Sequence, residues 1–239
     1  MSVEIKKAIE RKQLVVFLGS GISIAGGLPS WEQLAYNVIK GKAKCVELKA
    51  IESKHYGPRR LMSLARTYFN DDDEFRKSVC DQLRDKPVKP NGKRLHEILK
   101  SWDVSVITTN YDLLFDESEP KYKTYHSIHD EKLNRSTLFD DRFVLHIHGS
   151  IEDADHMILT ESDYFDMYYL THMKRVREVM EWIFNEPDIV VLFIGSRLEE
   201  LEILQFTVKS EGDVAFSIYL GISVQNRSWQ NKCKWCSTK

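Results

Sequence analysis

Four short segments of this 239-residue chain hold the residue types that could do chemistry: Gly19-Ser20-Gly21-Ile22-Ser23, Thr108-Thr109-Asn110-Tyr111-Asp112, His148-Gly149-Ser150 and Gly195-Ser196. In the first, glycines let backbone N–H groups approach phosphate oxygens, with Ser20 and Ser23 as further donors. The segment is neither G-x-G-x-x-G nor a P-loop, because no third glycine falls in register and no G-K-[ST] follows. It therefore points to a ligand class and to no reaction, and a tight strand-to-helix turn without a ligand explains it about as well. Asn110 offers both a donor and an acceptor, though an Asn at a strand end commonly just ties down a loop. Asp112 could equally cap the turn Leu113-Leu114-Phe115. A histidine near its ordinary pKa of about 6.5 can exchange a proton close to neutral pH. His146 and His148 are both candidates, and each can also be a hydrogen-bonded structural residue.

The elements that must position these groups are short apolar runs. Leu14–Leu18, rich in Val and Phe and closed by glycine, has the pattern of a buried strand. Strand-like runs recur at Val104–Thr108, Phe143–Ile147, Met157–Thr160, Ile189–Ile194 and Val214–Leu220. Helical periodicity marks residues 2–11, Trp31–Ile39 (Ser30 near its start, Gly41 at its end), most of 43–100, 162–184 and 199–209. The acidic run Asn70–Asp73 reads as a turn and helix cap rather than a metal site, and Lys86–Gly92 as a break. Strands alternating with helices predict an α/β, Rossmann-like fold: a mostly parallel sheet with helices on both faces and a helical insertion over about 43–100. In such folds ligands bind at the carboxyl ends of the strands. All four chemical segments lie just after an apolar run, so one sheet edge should collect them. At most one of the two histidines is expected to face that crevice, and His148, beside Gly149, is the better placed.

Composition narrows the class. The net charge of −2 argues against a nucleic-acid-binding surface over the whole protein. No apolar stretch approaches the roughly 20 residues of a membrane helix, and residues 1–13 lack the apolar core of a signal peptide. Cys45, Cys80, Cys233 and Cys236 show no disulfide framework, which favours a reducing cytoplasm. Cys233-Lys-Trp-Cys236 is half a zinc motif without its second half, in a tail over 222–239 that shows no periodicity; residues 1–221 are read as one domain.

The motifs together carry a resemblance. GSGIS at 19–23, GLP at 27–29, TTNYD at 108–112, HGS at 148–150 and GS at 195–196 occur in the order found in sirtuin-type NAD-binding domains. The stretch FIGSRLEELEIL at 193–204 resembles the bacterial sirtuin-like NADases of anti-phage defence, and the likeness extends over roughly residues 10–210. It implies that Gly19, Ser20, Gly21, Ser23 and Thr109 hold phosphates and ribose of NAD+, and that Gly195 and Ser196 contact the adenosine half. It implies that Asn110 positions a water beside the nicotinamide ribose, that Asp112 supports it, and that His148 is the general base.

Two departures matter. Sirtuin deacylases carry two Cys-x-x-Cys pairs after the HG motif, whereas no cysteine occurs here between Cys80 and Cys233. The deacylase run Pro-Asp-Phe-Arg is here Pro29-Ser30-Trp31-Glu32. The resemblance thus implies NAD+ hydrolysis to nicotinamide and ADP-ribose, with no zinc and no cofactor beyond the substrate. An NAD-dependent deacylase and a non-catalytic nucleotide-binding module are the alternatives. It further implies a homo-oligomer, or a partner such as a ring-forming ATPase, as a gate. Direct nucleic-acid or membrane binding is not expected.

Overall fold

The computed structural model describes residues 3–84, 86–116, 122–186, 188–196 and 201–207. Its centre is a five-stranded, wholly parallel sheet in the order β3-β4-β2-β1-β5. The strands are β1 (Leu14–Leu18), β2 (Ser105–Thr108), β3 (Lys123–Tyr125), β4 (Phe143–His146) and β5 (Val190–Ile194). β1 lies between β2 and β5 with Leu18 level with Thr108 on one side and Ile194 on the other, and Thr108 pairs with His146 of β4. The register thus brings the ends of four strands into one row.

The sheet is covered on both sides, as its uninterrupted apolar strands predict. Val15, Phe17, Ile107, Leu145 and Phe193 pack with Val176, Val179, Met180 and Ile183 of α10 (Met173–Phe184). The alternate residues Val16, Leu18, Val106, Val144 and Leu192 face Ile5 and Ala8 of α1 (Val3–Glu10) and Leu99 of α7 (Pro90–Ser101).

The helical insertion forms a second core. α4 (Cys45–Glu52), α5 (Pro58–Arg66) and α6 (Asp72–Leu83) pack with α3 (Trp31–Lys40) around Met62, Ala65, Phe75 and Val79. Tyr111, Ile151, Met157 and Leu159, from the loops past β2 and β4, belong to the same core. Local signals match their elements. Ser30 caps α3 in a reciprocal box with Gln33, and Asp71 caps α6 by accepting from Glu74 N at 2.8 Å. Phe69 is buried in this core.

Four expectations are corrected. Met157–Thr160 forms no strand: it follows a 3-10 turn at Ala154–His156, and Met157 and Leu159 are buried by packing under the insertion, not by strand pairing. The edge strand β3 is short and half polar, and the apolar-run criterion passes over it. After the short α8 (Arg135–Asp140), the helical stretch 162–184 is two helices, α9 (Glu161–Tyr169) and α10, because the chain turns at Leu170. No glycine or proline marks that turn; Thr171 Oγ1 donates to Asp166 Oδ1 at 2.7 Å beside it. The glycine segment is not an open loop, since α2 (Ser20–Ala25) begins within it. Residues 199–209 contain α11 (Leu201–Thr207), while the run Val214–Leu220 and the tail 222–239 lie outside the described residues.

Arg76 of α6 joins the insertion to the loop after β4. Its Nη1 donates to Ala154 O at 2.9 Å and Met157 O at 2.7 Å, and its Nε bonds Asp72. Arg76→Ala removes both bonds and takes from the Met157 carbonyl its donor, while Ala154 O keeps the Met157 N–H at 3.2 Å, so the expected loss of unfolding free energy is about 1–3 kcal/mol, measured by urea denaturation. A loss below about 0.5 kcal/mol would mean that this contact does not hold the two parts together.

Candidate active site

At the carboxyl edge of the sheet lies a small cavity of about 90 Å³. Its polar wall is Ser20, Ser23, Thr109, Asn110, Asp112 and His148; Pro29, Trp31 and Tyr164 are among its apolar lining. A larger open depression of about 580 Å³ lies at the opposite edge, by the starts of β1 and β2, and contains none of the predicted residues.

Asn110 is held from several sides. Thr108 Oγ1 donates to Leu18 O at 2.9 Å and accepts from Asn110 N at 3.0 Å, tying the end of β2 to that of β1. The Asn110 carboxamide Nδ2 donates to Gly19 O at 3.1 Å and to Ser23 Oγ at 2.9 Å. With both amide hydrogens engaged, Oδ1 is the part of the carboxamide left to accept from a ligand or water. Ser23 passes its own hydrogen to Asp112 Oδ2 at 2.6 Å. Asp112 also accepts from Leu114 N at 3.2 Å, so it caps the following turn and joins the network. Burial pushes the Asp112 carboxyl above the ordinary carboxylate range, against the pull of the Ser23 and Leu114 hydrogen bonds.

The glycine segment is shaped by its neighbour β5. Gly19 N donates to Ile194 O and Gly21 N to Gly195 O, both at 2.9 Å. A Cβ on Gly19 would lie 2.5 Å from Ser196 Cα, and Gly195 itself has φ +71. Two of the predicted phosphate-binding amides are therefore engaged in joining the ends of β1 and β5. Gly195 and Ser196 back this turn rather than line the cavity.

His146 and His148 part company because β4 ends at His146. His146 turns to Asn110 O, 2.8 Å from its Nδ1, and to the Asp116 carboxylate, 3.3 Å from its Nε2. His148 lines the cavity, with Nε2 2.7 Å from Tyr168 Oη and Nδ1 3.3 Å from Tyr164 Oη. Burial, and then the positive charge of Arg59, push His148 down to about 3, so it is neutral at physiological pH. Arg59 of α5 stacks 3.9 Å over the Tyr164 ring and makes a two-point ion pair with Glu202 of α11, at 2.7 and 3.2 Å. The insertion thereby roofs His148. Trp31 Nε1 is buried without a hydrogen-bond partner among the described residues.

The sequence reading missed Tyr164, Tyr168, Arg59 and the His146–Asp116 pair. Tyr164 and Tyr168 sit four apart on α9 and so share a face, a signal indistinguishable from ordinary core spacing. Among the described residues no group of three His, Cys, Asp or Glu side chains could hold a metal ion.

Residues 104–213 match the family model of the SIR2-like domain. The chain is 26% identical over 210 residues to defense-associated sirtuin 2 of Bacillus subtilis, a match covering 84% of this chain and 19% of that protein. It is 28% identical over 170 residues to the NAD(+) hydrolase ThsA of Enterococcus faecium, covering 66% of this chain and 32% of that protein. The matched segment is thus similar to a SIR2-like domain, and the chain spans about a fifth and a third of the length of these two relatives.

Neutral histidines, two of them buried and His129 half-buried, set the acid limit of the fold. His148 is depressed to about 3, and His96 and His129 to about 4, chiefly by burial. Each favours the unprotonated folded state, so its contribution is complete above the unfolded value of about 6.5 and declines as pH falls from there towards 3–4. Unfolding free energy should therefore fall between pH 6.5 and 4, and His148→Gln should flatten that slope by about one proton. An unchanged slope in the variant would show that His148 titrates normally in the fold.

Proposed function

We propose that this chain is an NAD+ glycohydrolase that cleaves the nicotinamide–ribose bond and acts by NAD+ depletion in anti-phage defence. The observation that carries the reading is the Asn110 carboxamide, fixed by Gly19 and Ser23 with Oδ1 free to accept, in the same small cavity as a neutral His148. The names of the two relatives, one a defence-associated sirtuin and the other an NAD(+) hydrolase, support the substrate and the setting.

The chemistry follows from charge. The nicotinamide of NAD+ leaves as a neutral molecule, and the ribose passes through an oxocarbenium-like state. Asn110 Oδ1 accepts a hydrogen from the attacking water and holds it under C1′. Asp112, through Ser23, fixes the Asn110 amide. Neutral His148, whose ring nitrogens meet the hydroxyls of Tyr168 and Tyr164, takes a proton from water or a ribose hydroxyl by way of one of those hydroxyls, a transfer that becomes easier as positive charge grows on the sugar. The cavity has room for several waters or one ring-sized group, so the planar nicotinamide would lie beside Trp31 and Tyr164, whose rings pack on one another with centroids 5.8 Å apart, while the rest of the dinucleotide lies outside. Ser20, at the start of α2, and Thr109 are the groups at the cavity rim for ribose or phosphate.

A gate belongs to this reading, since free NAD+ hydrolysis would harm its host. The Arg59–Glu202 pair over Tyr164 is one restraint. Phe165, Tyr169 and Leu170, more than half exposed at the end of α9, give a second copy or another defence subunit a surface on the helix that holds His148. No described helix is long and apolar enough to cross a membrane, and we place the activity in the cytoplasm, with its NAD+ pool.

Incubation with NAD+ and no acyl-peptide should release nicotinamide and ADP-ribose, measured by liquid chromatography. Asn110→Ala and His148→Ala should each lower the rate by about 10²–10⁴. Release that survives both substitutions unchanged would refute these roles, and release that requires an acylated peptide would indicate a deacylase.

A further inference from the structure

We propose that His146 is a positioning residue for the reaction: it donates from both ring nitrogens, one to the Asn110 carbonyl and one to Asp116, and so fixes the peptide that carries the Asn110 carboxamide. The inference rests on the hydrolase reading and deepens it, since none of the roles above uses His146.

The geometry dictates the protons. A backbone carbonyl only accepts, so Nδ1, 2.8 Å from Asn110 O, carries a hydrogen. An ionised carboxylate also only accepts, so Nε2, 3.3 Å from both Asp116 oxygens, carries another. Asp116 receives a second side-chain donor, Thr124 Oγ1 of β3, at 3.2 Å. His146 is wholly buried, and a buried cation without its counter-ion would be costly. Burial works against its charge, but the Asp116 hydrogen bond and charge, with the Asn110 carbonyl, outweigh it and hold His146 above the ordinary histidine value. Asp116 is held below the ordinary range by the same pair, despite its own burial. The other titratable groups facing His146 are Asp112, whose negative charge supports the cation, and His126, whose ring stacks 6.0 Å away.

The consequence is a chain of bonds that ends at the cavity. His146 grips the carbonyl of Asn110, Thr108 its N–H, and Gly19 and Ser23 its side-chain amide. Releasing the carbonyl frees the peptide to rotate and moves Oδ1 off its water, whereas the cavity walls that bind substrate stay in place. The effect should therefore fall on kcat and spare KM. It should also depend on pH with a fixed sign: the clamp is charge-assisted at and below neutrality and weakens to a neutral hydrogen bond from Nδ1 as pH rises through the folded value of His146.

Because deleting a fully buried ring endangers the fold, Asp116→Asn is the principal variant and His146→Gln the second. Two readouts are combined. In imidazole-¹⁵N-labelled protein, wild-type His146 should show both nitrogens protonated at pH 7 and Asp116→Asn a single proton, with the Asn110 carbonyl ¹³C signal following the wild-type His146 titration. In NAD+ cleavage, Asp116→Asn should lower kcat by about 5–10-fold, the loss of charge assistance on a retained bond, with KM within about twofold, and should move the alkaline limb of the pH profile to lower pH. The proposal is overturned if wild-type His146 carries one proton at pH 7, or if Asp116→Asn neutralises His146 without altering kcat or the limb. If the wild type binds NAD+ and releases no nicotinamide, the hydrolase reading fails instead. The Asn110 carbonyl signal then decides the clamp alone: insensitivity to the His146 titration overturns it.

Discussion

The hydrogen bonds from the Asn110 carboxamide to Gly19 O and Ser23 Oγ join the end of β2 to the turn after β1, and the site depends on them. They can form only if Leu18 and Thr108 lie side by side, which is the parallel register of β1 and β2. That register is supported by Thr108 Oγ1 donating to Leu18 O. The core and the site therefore share one constraint: the apolar strands must pair in this register to bury their side chains, and the same pairing assembles the polar cluster.

Packing at the other side of β1 explains why the turn is glycine-rich. The segment after β1 lies against the end of β5 with no space for a Cβ at Gly19. The glycines serve strand-end contact first. What they leave for a ligand is a helix start at Ser20 and the side chain of Ser23, already engaged with Asn110 and Asp112. A phosphate cradle inferred from glycine content alone would have assigned these amides twice.

The parallel sheet was legible because its strands are apolar throughout, and helix starts were legible where Ser30 and Asp71 supply caps. Asn110, Asp112 and His148 were legible as strand-end residues, and the structure brings them to one cavity. The rest depended on tertiary facts. Met157–Thr160 looked like a strand because burial under a helical insertion selects the same apolar residues as burial in a sheet. The break between α9 and α10 carries no glycine or proline. Asp116 and His146 lie 30 residues apart, and nothing in either segment announces a partner. The contact appears once β2 and β4 are neighbours. Arg59 reaches the site from the insertion, a segment whose local pattern is that of an ordinary amphipathic helix.

In the function proposed here, the carboxyl edge of the sheet holds NAD+ for cleavage between Asn110 and His148. The most direct test is a crystal structure of the Asn110→Ala variant with NAD+. Nicotinamide should lie in the cavity beside Trp31 and Tyr164, with C1′ of its ribose between position 110 and His148. NAD+ bound instead in the depression at the amino ends of β1 and β2, with this cavity empty, would contradict it.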